Sequence, residues 1–305
     1  MNKIMIKRSP LFYVGDKYKL IKEIKEYFPK NIRRFIEPFT GGGSVFLNID
    51  TDKYLLNDID SSVCEIHRFL LKQANDPDKL FKELYRIVKK YGLSRSYFED
   101  VVPIGLKKRW KKTYYAHYNK DSYNKLKEDY NKSNEKNPLI LYILLIYGFN
   151  RMLRFNGGGK FNLPVGNVDF NKNVYNALKE YFEFVINKDI KWHNLDFIKF
   201  IKSIKFQKDD FVYLDPPYLI SFSEYNKLWN SEKEKDLLKL LDELNSKGVN
   251  FAISNVILHK GMKNDIFSKW MEKYKMHKIE SNYISYHNNS KKQITEVLIT
   301  NYGKA

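Results

Sequence analysis

Four consecutive residues, Asp215-Pro216-Pro217-Tyr218, combine a carboxylate, a stiff backbone and an aromatic ring. They follow the apolar run Phe211-Val212-Tyr213-Leu214, which reads as a buried strand. Two prolines cannot continue a ladder of backbone hydrogen bonds, so the strand is expected to stop there in a rigid elbow. Ligands of open α/β sheets sit off the carboxyl ends of strands. A carboxylate and a backbone carbonyl are both acceptors, and together they suit an amino group with two hydrogens to give. The Tyr218 ring suits a flat partner, and an exocyclic amine on a nucleobase meets both conditions. The plainer reading is a strand-ending turn with a surface aspartate and a packing tyrosine, and the string alone does not decide.

A second constellation precedes it. Residues 34–47 read as a strand, a glycine loop and a helix, with Glu37-Pro38-Phe39-Thr40-Gly41-Gly42-Gly43-Ser44 at the centre. Glycines let a backbone approach a ligand closely and adopt positive φ. The dinucleotide fingerprint would need a third glycine at position 46, where this chain has Phe46. A second strand, Lys53–Leu56, ends in Asn57-Asp58-Ile59-Asp60. An acid at that strand tip is placed to accept hydrogen bonds from a ribose diol, so this half reads as a nucleoside site without a pyrophosphate clamp. Upstream, a helical stripe from Leu20 to Phe28 follows Gly15-Asp16-Lys17. It is expected to open there and to offer its first N–H groups to an anion beside Lys17.

The 305 residues carry 54 Lys and Arg against 36 Asp and Glu, a formal charge of +18, which suits a polyanionic partner. A lysine-rich coding bias gives the same surplus without selection for binding. The single cysteine, Cys64, allows neither an intramolecular disulfide nor a cysteine-based zinc site, and the histidines lack metal-ligand spacing, so no metal is expected. The amino terminus lacks the apolar length of a signal peptide, and the longest apolar run, Leu139–Tyr147, is too short to span a bilayer. A cytoplasmic location without membrane contact is the expectation.

Between these constellations the chain changes character. Helical patterns at 65–72 and 78–91 lead to the basic cluster Lys107-Lys108-Arg109-Trp110-Lys111-Lys112 and then to tyrosines 114, 115 and 118. Cations interleaved with aromatics match a surface that tracks a nucleic-acid backbone, and equally an ordinary solvated face. Residues 121–137 read as polar and mobile, and Pro138–Tyr147 as a core helix. The run from Asn150 to Gly166, with Arg151, Arg154, Asn156 and Lys160 around three glycines, reads as a hairpin whose charged tip could enter a groove. Further on come an amphipathic helix near 171–186, an edge-like strand at 190–194, a helix at 231–247 and a strand at 249–255. An extended pair at 283–286 and 296–302 closes the chain around the polar 287–292.

In this order the motifs resemble the Dam-like, D12-class DNA adenine-N6 methyltransferases. The likeness covers nearly the whole chain. It rests on Tyr13, Gly15 and Lys17 in the opening segment, Glu37 to Ser44, Asp58, Asp196-Phe197, and Asp215 to Tyr218, which matches the family tetrad without change. The resemblance implies an α/β, Rossmann-like S-adenosylmethionine-dependent sheet with helices on both faces and an inserted, mainly helical DNA-recognition domain. The catalytic domain is then 1–64 and 168–305, and the recognition domain 65–167, with its hairpin near 150–166. S-Adenosylmethionine is the implied cofactor, held by Tyr13, Lys17, Glu37, Pro38, Phe39, Gly41, Gly42, Gly43, Ser44, Asp58, Ile59, Asp196, Phe197 and Asp215. Asp215, Pro216, Pro217 and Tyr218 are the implied catalytic group. Lys107, Lys108, Arg109, Arg151, Arg154, Asn156 and Lys160 are the candidates for contact with double-stranded DNA. A cognate restriction endonuclease is the further partner considered.

The chain departs from the family pattern at Asp16, where a glycine is common, and over His287–Lys292. It also departs at Lys160, where enzymes acting at GATC carry an acidic residue or another side chain, although GATC remains the guessed target. Two other readings stay open. One changes the amine, to cytosine N4 or a glutamine amide. The other is a catalytically silent DNA-binding relative. A nicotinamide oxidoreductase is disfavoured by Phe46.

Overall fold

A computed structural model describes residues 6–221, 229–280 and 294–303. Residues 283–286 and 287–292, expected as the first half and the turn of the closing pair, lie outside the described residues. Ten α-helices occur among the described residues: α1 (Ile21–Glu26), α2 (Ser61–Gln73), α3 (Pro77–Tyr91), α4 (Ile104–Arg109), α5 (Tyr114–Lys132), α6 (Pro138–Tyr147), α7 (Lys172–Val185), α8 (Phe197–Lys202), α9 (Ser231–Ser246) and α10 (Asp265–Met271). Eight strands accompany them: β1 (Arg34–Glu37), β2 (Lys53–Asn57), β3 (Asp189–His193), β4 (Asp210–Leu214), β5 (Asn250–His259), β6 (Met262–Lys263), β7 (Lys275–Ile279) and β8 (Ile294–Thr300). None of the described helices is long and apolar enough to cross a membrane.

The chain packs as two compact units. One comprises Lys19–Thr40, Asn48–Ile59 and Asp189–Ala305, and the other Met1–Tyr18, Gly41–Leu47 and Asp60–Lys188. This division by packing does not coincide with the boundaries expected at 64 and 168.

The first unit holds the whole sheet, in the order β3-β2-β1-β4-β5-β8-β7 with β6 paired to β5. The pairs from β3 to β5 are parallel. Strand β8 runs antiparallel to both β5 and β7. Parallel strands covered on both faces read as unbroken apolar runs, and all five residues of β4 are buried. Alternation then sorts their side chains. Phe211 and Tyr213 meet Phe28, just past α1, with ring centroids 4.9 and 5.3 Å apart. On the opposite face Ile36, Val212, Leu214, Phe251 and Ile253 share one core with residues of α8, α9 and α10. Helices therefore cover both faces, as expected.

The second unit is helical. Three expectations fail in ways the packing explains. Residues 121–137 do not form a polar, mobile stretch, because Tyr114–Lys132 is helix α5. Tyr123, Leu126 and Tyr130 recur at i, i+3 and i+7 and are buried, a stripe the surrounding polar residues conceal. The glycine loop leads into a single 3-10 turn, Phe46–Asn48, instead of a helix. Val45, Phe46, Leu47 and Ile49 are all buried, which leaves no polar side for an amphipathic helix. Helix α1 opens at Ile21 with Leu20 as an N-cap that makes no side-chain bond, so it does not start at Lys17.

Candidate active site

The sheet unit brings one set of chemistry-bearing residues to the carboxyl ends of its central strands. Asp215 follows β4 directly. Its Oδ1 accepts a hydrogen bond from the Tyr218 hydroxyl at 2.9 Å, and the same hydroxyl lies 3.3 Å from Glu296 Oε1 on β8. The elbow is closed by the Ser221 N–H donating to the Tyr218 carbonyl at 3.0 Å. Pro216 is buried, while Asp215, Pro217 and Tyr218 are half-buried. Tyr213 points from β4 into the same region and its hydroxyl pairs with Ser254 Oγ at 2.8 Å. Burial first, and then the charges of Asp215, Glu37 and Glu296, push that phenol far above its ordinary range. Three carboxylates, from the ends of β1 and β4 and the start of β8, therefore converge on one locality. The antiparallel run of β8 puts its first residues at the edge where parallel β1 and β4 finish.

Beside this cluster, Pro38, Phe39, Asn57, Ile59, Leu195, Asp196, Phe197, Pro217, Trp229 and Lys233 line a pocket. Phe39 faces Phe197 with centroids 5.3 Å apart and meets Trp229 edge-on at 5.7 Å. Asn57 braces the walls. Its Nδ2 donates to the carbonyls of Pro38 at 3.0 Å and Leu195 at 2.9 Å, and its Oδ1 accepts from the Leu195 N–H at 2.9 Å. Asn194 donates to the carbonyls of Asp58 and Ile59 at 2.8 and 3.0 Å, which fixes the tip of β2. Asp196 caps α8 by accepting from the Ile198 N–H at 3.0 Å. Of the residues expected at a cofactor, Pro38, Phe39, Ile59, Asp196 and Phe197 thus share one pocket, with Glu37 and Asp215 in the acid cluster.

Sequence reasoning missed Asn57, Leu195, Trp229, Lys233 and Glu296. Two carried a signal: Asn57 is a polar end to an apolar strand, and Glu296 is a buried charge inside Ile294–Thr300.

Asp58 stays with the sheet unit at the tip of β2, and the rest of the expected cofactor set, Tyr13, Lys17, Gly41 to Gly43 and Ser44, lies in the helical unit. Gly43 has φ +79, and a Cβ there would come within 2.5 Å of the Phe46 ring; one on Gly42 would come within 2.7 Å of Tyr13 Cβ. Gly41, at φ +49, has open space where its Cβ would be. Ser9 Oγ donates to the Gly42 carbonyl and His67 Nε2 to the Gly41 carbonyl at 2.9 Å. Since a carbonyl only accepts, Nε2 carries the proton. Burial lowers the His67 pKa to about 4, which keeps the ring neutral. Tyr13, Lys17 and Ser44 are buried. Asp16, the departure from the family glycine, pairs with Arg8 at 3.1 Å and accepts a hydrogen bond from the Tyr18 N–H at 3.3 Å, so it ties this segment together.

The candidates for DNA contact also lie in the helical unit. The hairpin is present: Phe155 pairs with Phe161, and Gly148 with Val165. Its tip, residues 156–160, is exposed. Asn156 Oδ1 is engaged by the tip itself, accepting from the N–H groups of Gly158 and Lys160 at 3.0 Å each. Arg154 lies along the hairpin, donating to Asn162 Oδ1 and to its carbonyl at 2.9 Å. Arg151 stacks its guanidinium 4.3 Å from the Phe12 ring and has a buried Nε without a partner. Asn150 and Arg151 both have left-handed backbones, at φ 54 and 50. Such strain in residues other than glycine persists where surrounding structure enforces it. In the basic cluster Lys107 pairs with Asp100, while Lys108 and Arg109 are exposed. The Trp110 ring stacks on His117 at 3.7 Å. Asn167 anchors this segment, accepting from the N–H groups of Tyr115 and Ala116 and donating to the Lys112 carbonyl.

Residues 13–284 match the family described as D12 class N6 adenine-specific DNA methyltransferase. The chain belongs to that family. It is 35% identical over 304 residues to the Type II methyltransferase M.FokI of Planomicrobium okeanokoites and 34% identical over 306 residues to the modification methylase StsI of Streptococcus sanguinis. Each match takes in 97% of this chain and 43% of the relative, so the chain spans less than half the length of either. Against the DNA adenine methylase of Escherichia coli (strain K12) the identity is 26%, across 95% of this chain and 94% of that one. For a D12-class chain the pocket composition fits a methyl donor with a flat aromatic base. Phe39, Phe197 and Trp229 supply ring surfaces, and the polar backbone around them is held in place by Asn57 and Asn194.

Proposed function

We propose that this chain transfers a methyl group from S-adenosylmethionine to N6 of an adenine extruded from duplex DNA. The observation that carries the reading is the Asp215 carboxylate, fixed by Tyr218 at the end of β4 beside an aromatic-lined pocket. The bound donor would supply an electrophilic methyl group on a positive sulfur. Everything else falls to the protein.

The N6 lone pair is delocalised into the purine ring, which makes the amine a poor nucleophile. Asp215, with the Pro216 carbonyl, would accept the two amine hydrogens and draw N6 towards a tetrahedral shape. A fixed carboxylate stabilises the positive charge that develops on N6, and such preorganised electrostatics are usually the largest catalytic contribution. Alignment of the reacting atoms lowers the barrier further. The surplus proton on N6 afterwards goes to Asp215. A base inside a duplex cannot reach this elbow, so it must be flipped out, and the Tyr218 ring would stack on it.

Phe39, Phe197 and Trp229 would hold the donor's adenine and Asp58 its ribose, with 1–64 and 168–305 as the catalytic part. Residues 65–167 would hold DNA through Lys108, Arg109 and the 150–166 hairpin. The names of the Type II relatives support a cognate restriction endonuclease as partner, and a DNA substrate supports a cytoplasmic location. The test incubates the protein with labelled S-adenosylmethionine and unmethylated duplex DNA, then digests the DNA and weighs its nucleosides. N6-Methyldeoxyadenosine is expected. N4-Methyldeoxycytidine, or binding without transfer, would overturn the reading. Duplexes with and without GATC test the guessed target.

A further inference from the structure

Glu296 is a buried acid in an apolar strand, and the proposed methyl transfer gives it no role. Its Cα stands opposite Val256 of β5 on one side and Ile279 of β7 on the other, deep in the sheet. Burying a carboxylate is unfavourable unless its charge is compensated, so the groups that Glu296 meets decide its role. Its Oε1 lies 3.3 Å from the Tyr218 hydroxyl, which also lies 2.9 Å from Asp215 Oδ1. A phenol has one proton and both carboxylates are acceptors when ionised, so the O–H points fully at one or the other.

From this three-membered chain we infer that Glu296 is a positioning residue for methyl transfer, the second acceptor between which Tyr218 divides its proton. The inference rests on the proposed adenine methylation. When Tyr218 donates to Asp215, it orients that carboxylate and disperses part of its charge. When Tyr218 turns to Glu296, the full charge of Asp215 faces the amine. The second arrangement gains importance as positive charge builds on N6, because an undispersed carboxylate stabilises it better. Glu296 also holds the Tyr218 ring from its far end, which fixes the plane offered to the extruded base. No bond of the substrate is made or broken at Glu296, and the proton stays on the phenol in both arrangements.

Sharing one phenol proton between two carboxylates couples Glu296 to Tyr218 in a way that a merely structural acid would not show. Glu296→Gln keeps the shape and removes the charge. Tyr218→Phe removes the O–H that links the two carboxylates. Loss of a hydrogen bond between a neutral and a charged group corresponds to roughly a ten- to hundredfold fall in rate. Single-turnover methylation by E296Q is expected to slow by that factor. The affinity for S-adenosylmethionine and the KM for DNA should stay within about twofold, since the change acts on the transition state. In the Y218F background the same E296Q change is expected to have almost no further effect.

The decisive readings are the two fold-changes, with thermal melts of all four proteins as a check on folding. Equal loss in both backgrounds, or a normal rate for E296Q, overturns the role of Glu296. If E296Q does not fold, Glu296→Asp replaces it. That variant keeps the charge but withdraws it by one methylene, and its rate defect must likewise vanish in Y218F. The wild-type protein is assayed first. Absence of N6-methyladenine there removes the proposed function and this inference with it, whereas an active wild type with additive variants removes the inference alone.

Discussion

Asn131 of α5 and Phe161 of the hairpin exchange a reciprocal pair of hydrogen bonds: Asn131 Nδ2 donates to the Phe161 carbonyl at 2.9 Å, and the Phe161 N–H donates to Asn131 Oδ1 at 2.8 Å. The side-chain amide therefore does for this strand what a neighbouring strand would do. Lys127, one helical turn earlier, reaches the Leu163 carbonyl at 3.4 Å. Helix α5 is the support on which the hairpin's returning strand rests. Asn131→Ala would leave a half-buried N–H and carbonyl unpaired, a loss of about 1–3 kcal/mol. The expected outcome is faster amide exchange at Phe161 and Gly159 and weaker duplex binding. Methylation at saturating DNA should stay close to normal. Exchange measured by NMR or mass spectrometry checks the first claim and titration with duplex the second.

That dependence of the hairpin on α5 shows where sequence reading stops. The strand before Asp215, the strand before Asp58 and the hairpin itself were legible, because each is a local pattern: an apolar run, a turn, a cluster of glycines. Residues 121–137 were not, because Tyr123, Leu126 and Tyr130 are thinly spread among charged neighbours, and their burial depends on partners distant in sequence, such as the Leu144 carbonyl that accepts from Tyr123 at 3.1 Å. The same limit hid Trp229 and Glu296. Glu296 reaches the candidate site through the antiparallel pairing of β8, and Trp229 through its packing on Phe39 and Phe197 just before α9; neither follows from spacing from Asp215. Asp196 was found by its motif position, but its helix-capping bond to Ile198 belongs to geometry alone.

Asp215 is expected to be needed for chemistry and not for holding the methyl donor. Asp215→Ala should reduce single-turnover methylation by at least about a thousandfold, the upper end of what one preorganised electrostatic group contributes. Calorimetric affinity for S-adenosylmethionine should change by only a fewfold. Near-normal methylation by this variant would end the assignment of the Asp215 elbow as the catalytic group.

Asn57 is expected to act on donor affinity through the pocket wall. Asn57→Leu preserves volume but leaves the Pro38 and Leu195 carbonyls and the Leu195 N–H without their partner. Unpaired buried polar groups cost about 1–3 kcal/mol each, so the segments carrying Phe39 and Phe197 should move apart. A tenfold or greater loss of S-adenosylmethionine affinity is the expected result, on the order of one such penalty. An unchanged dissociation constant in a folded variant would separate Asn57 from the pocket's function.

His67 gives the glycine loop a dependence on pH. Its pKa falls from 6.5 to about 4 because burial disfavours the charged ring, so the folded state prefers the neutral form. The stabilisation is complete above the unfolded value of 6.5 and is lost as pH falls towards 4, a change of roughly 3 kcal/mol. Burial raises the pKa of Asp16 and Asp60, and these carboxyls act in the opposite sense. Both are present in the wild type and in a His67→Gln variant, so their effect cancels in the comparison. Urea midpoints at pH 7.5 and 4.5 should therefore fall further in the wild type than in His67→Gln, whose amide can still donate to Gly41 but does not titrate.

Lys108 and Arg109 are exposed at the end of α4, and Arg109 lies 5.4 Å from the Trp110 ring, which is itself stacked on His117. A cation resting beside an aromatic pair is oriented without being neutralised, in contrast to Lys107, whose charge is matched by Asp100. Phosphate contact should therefore fall to the first two and not to Lys107. Each neutralised phosphate contributes close to one unit to the slope of log affinity against log salt. Lys108→Ala and Arg109→Ala should each lower the slope by about one and weaken binding equally on duplexes of different sequence. Lys107→Ala should leave the slope unchanged. Loss of affinity confined to one duplex sequence would instead assign base reading to this segment, because a phosphate contact carries no sequence information.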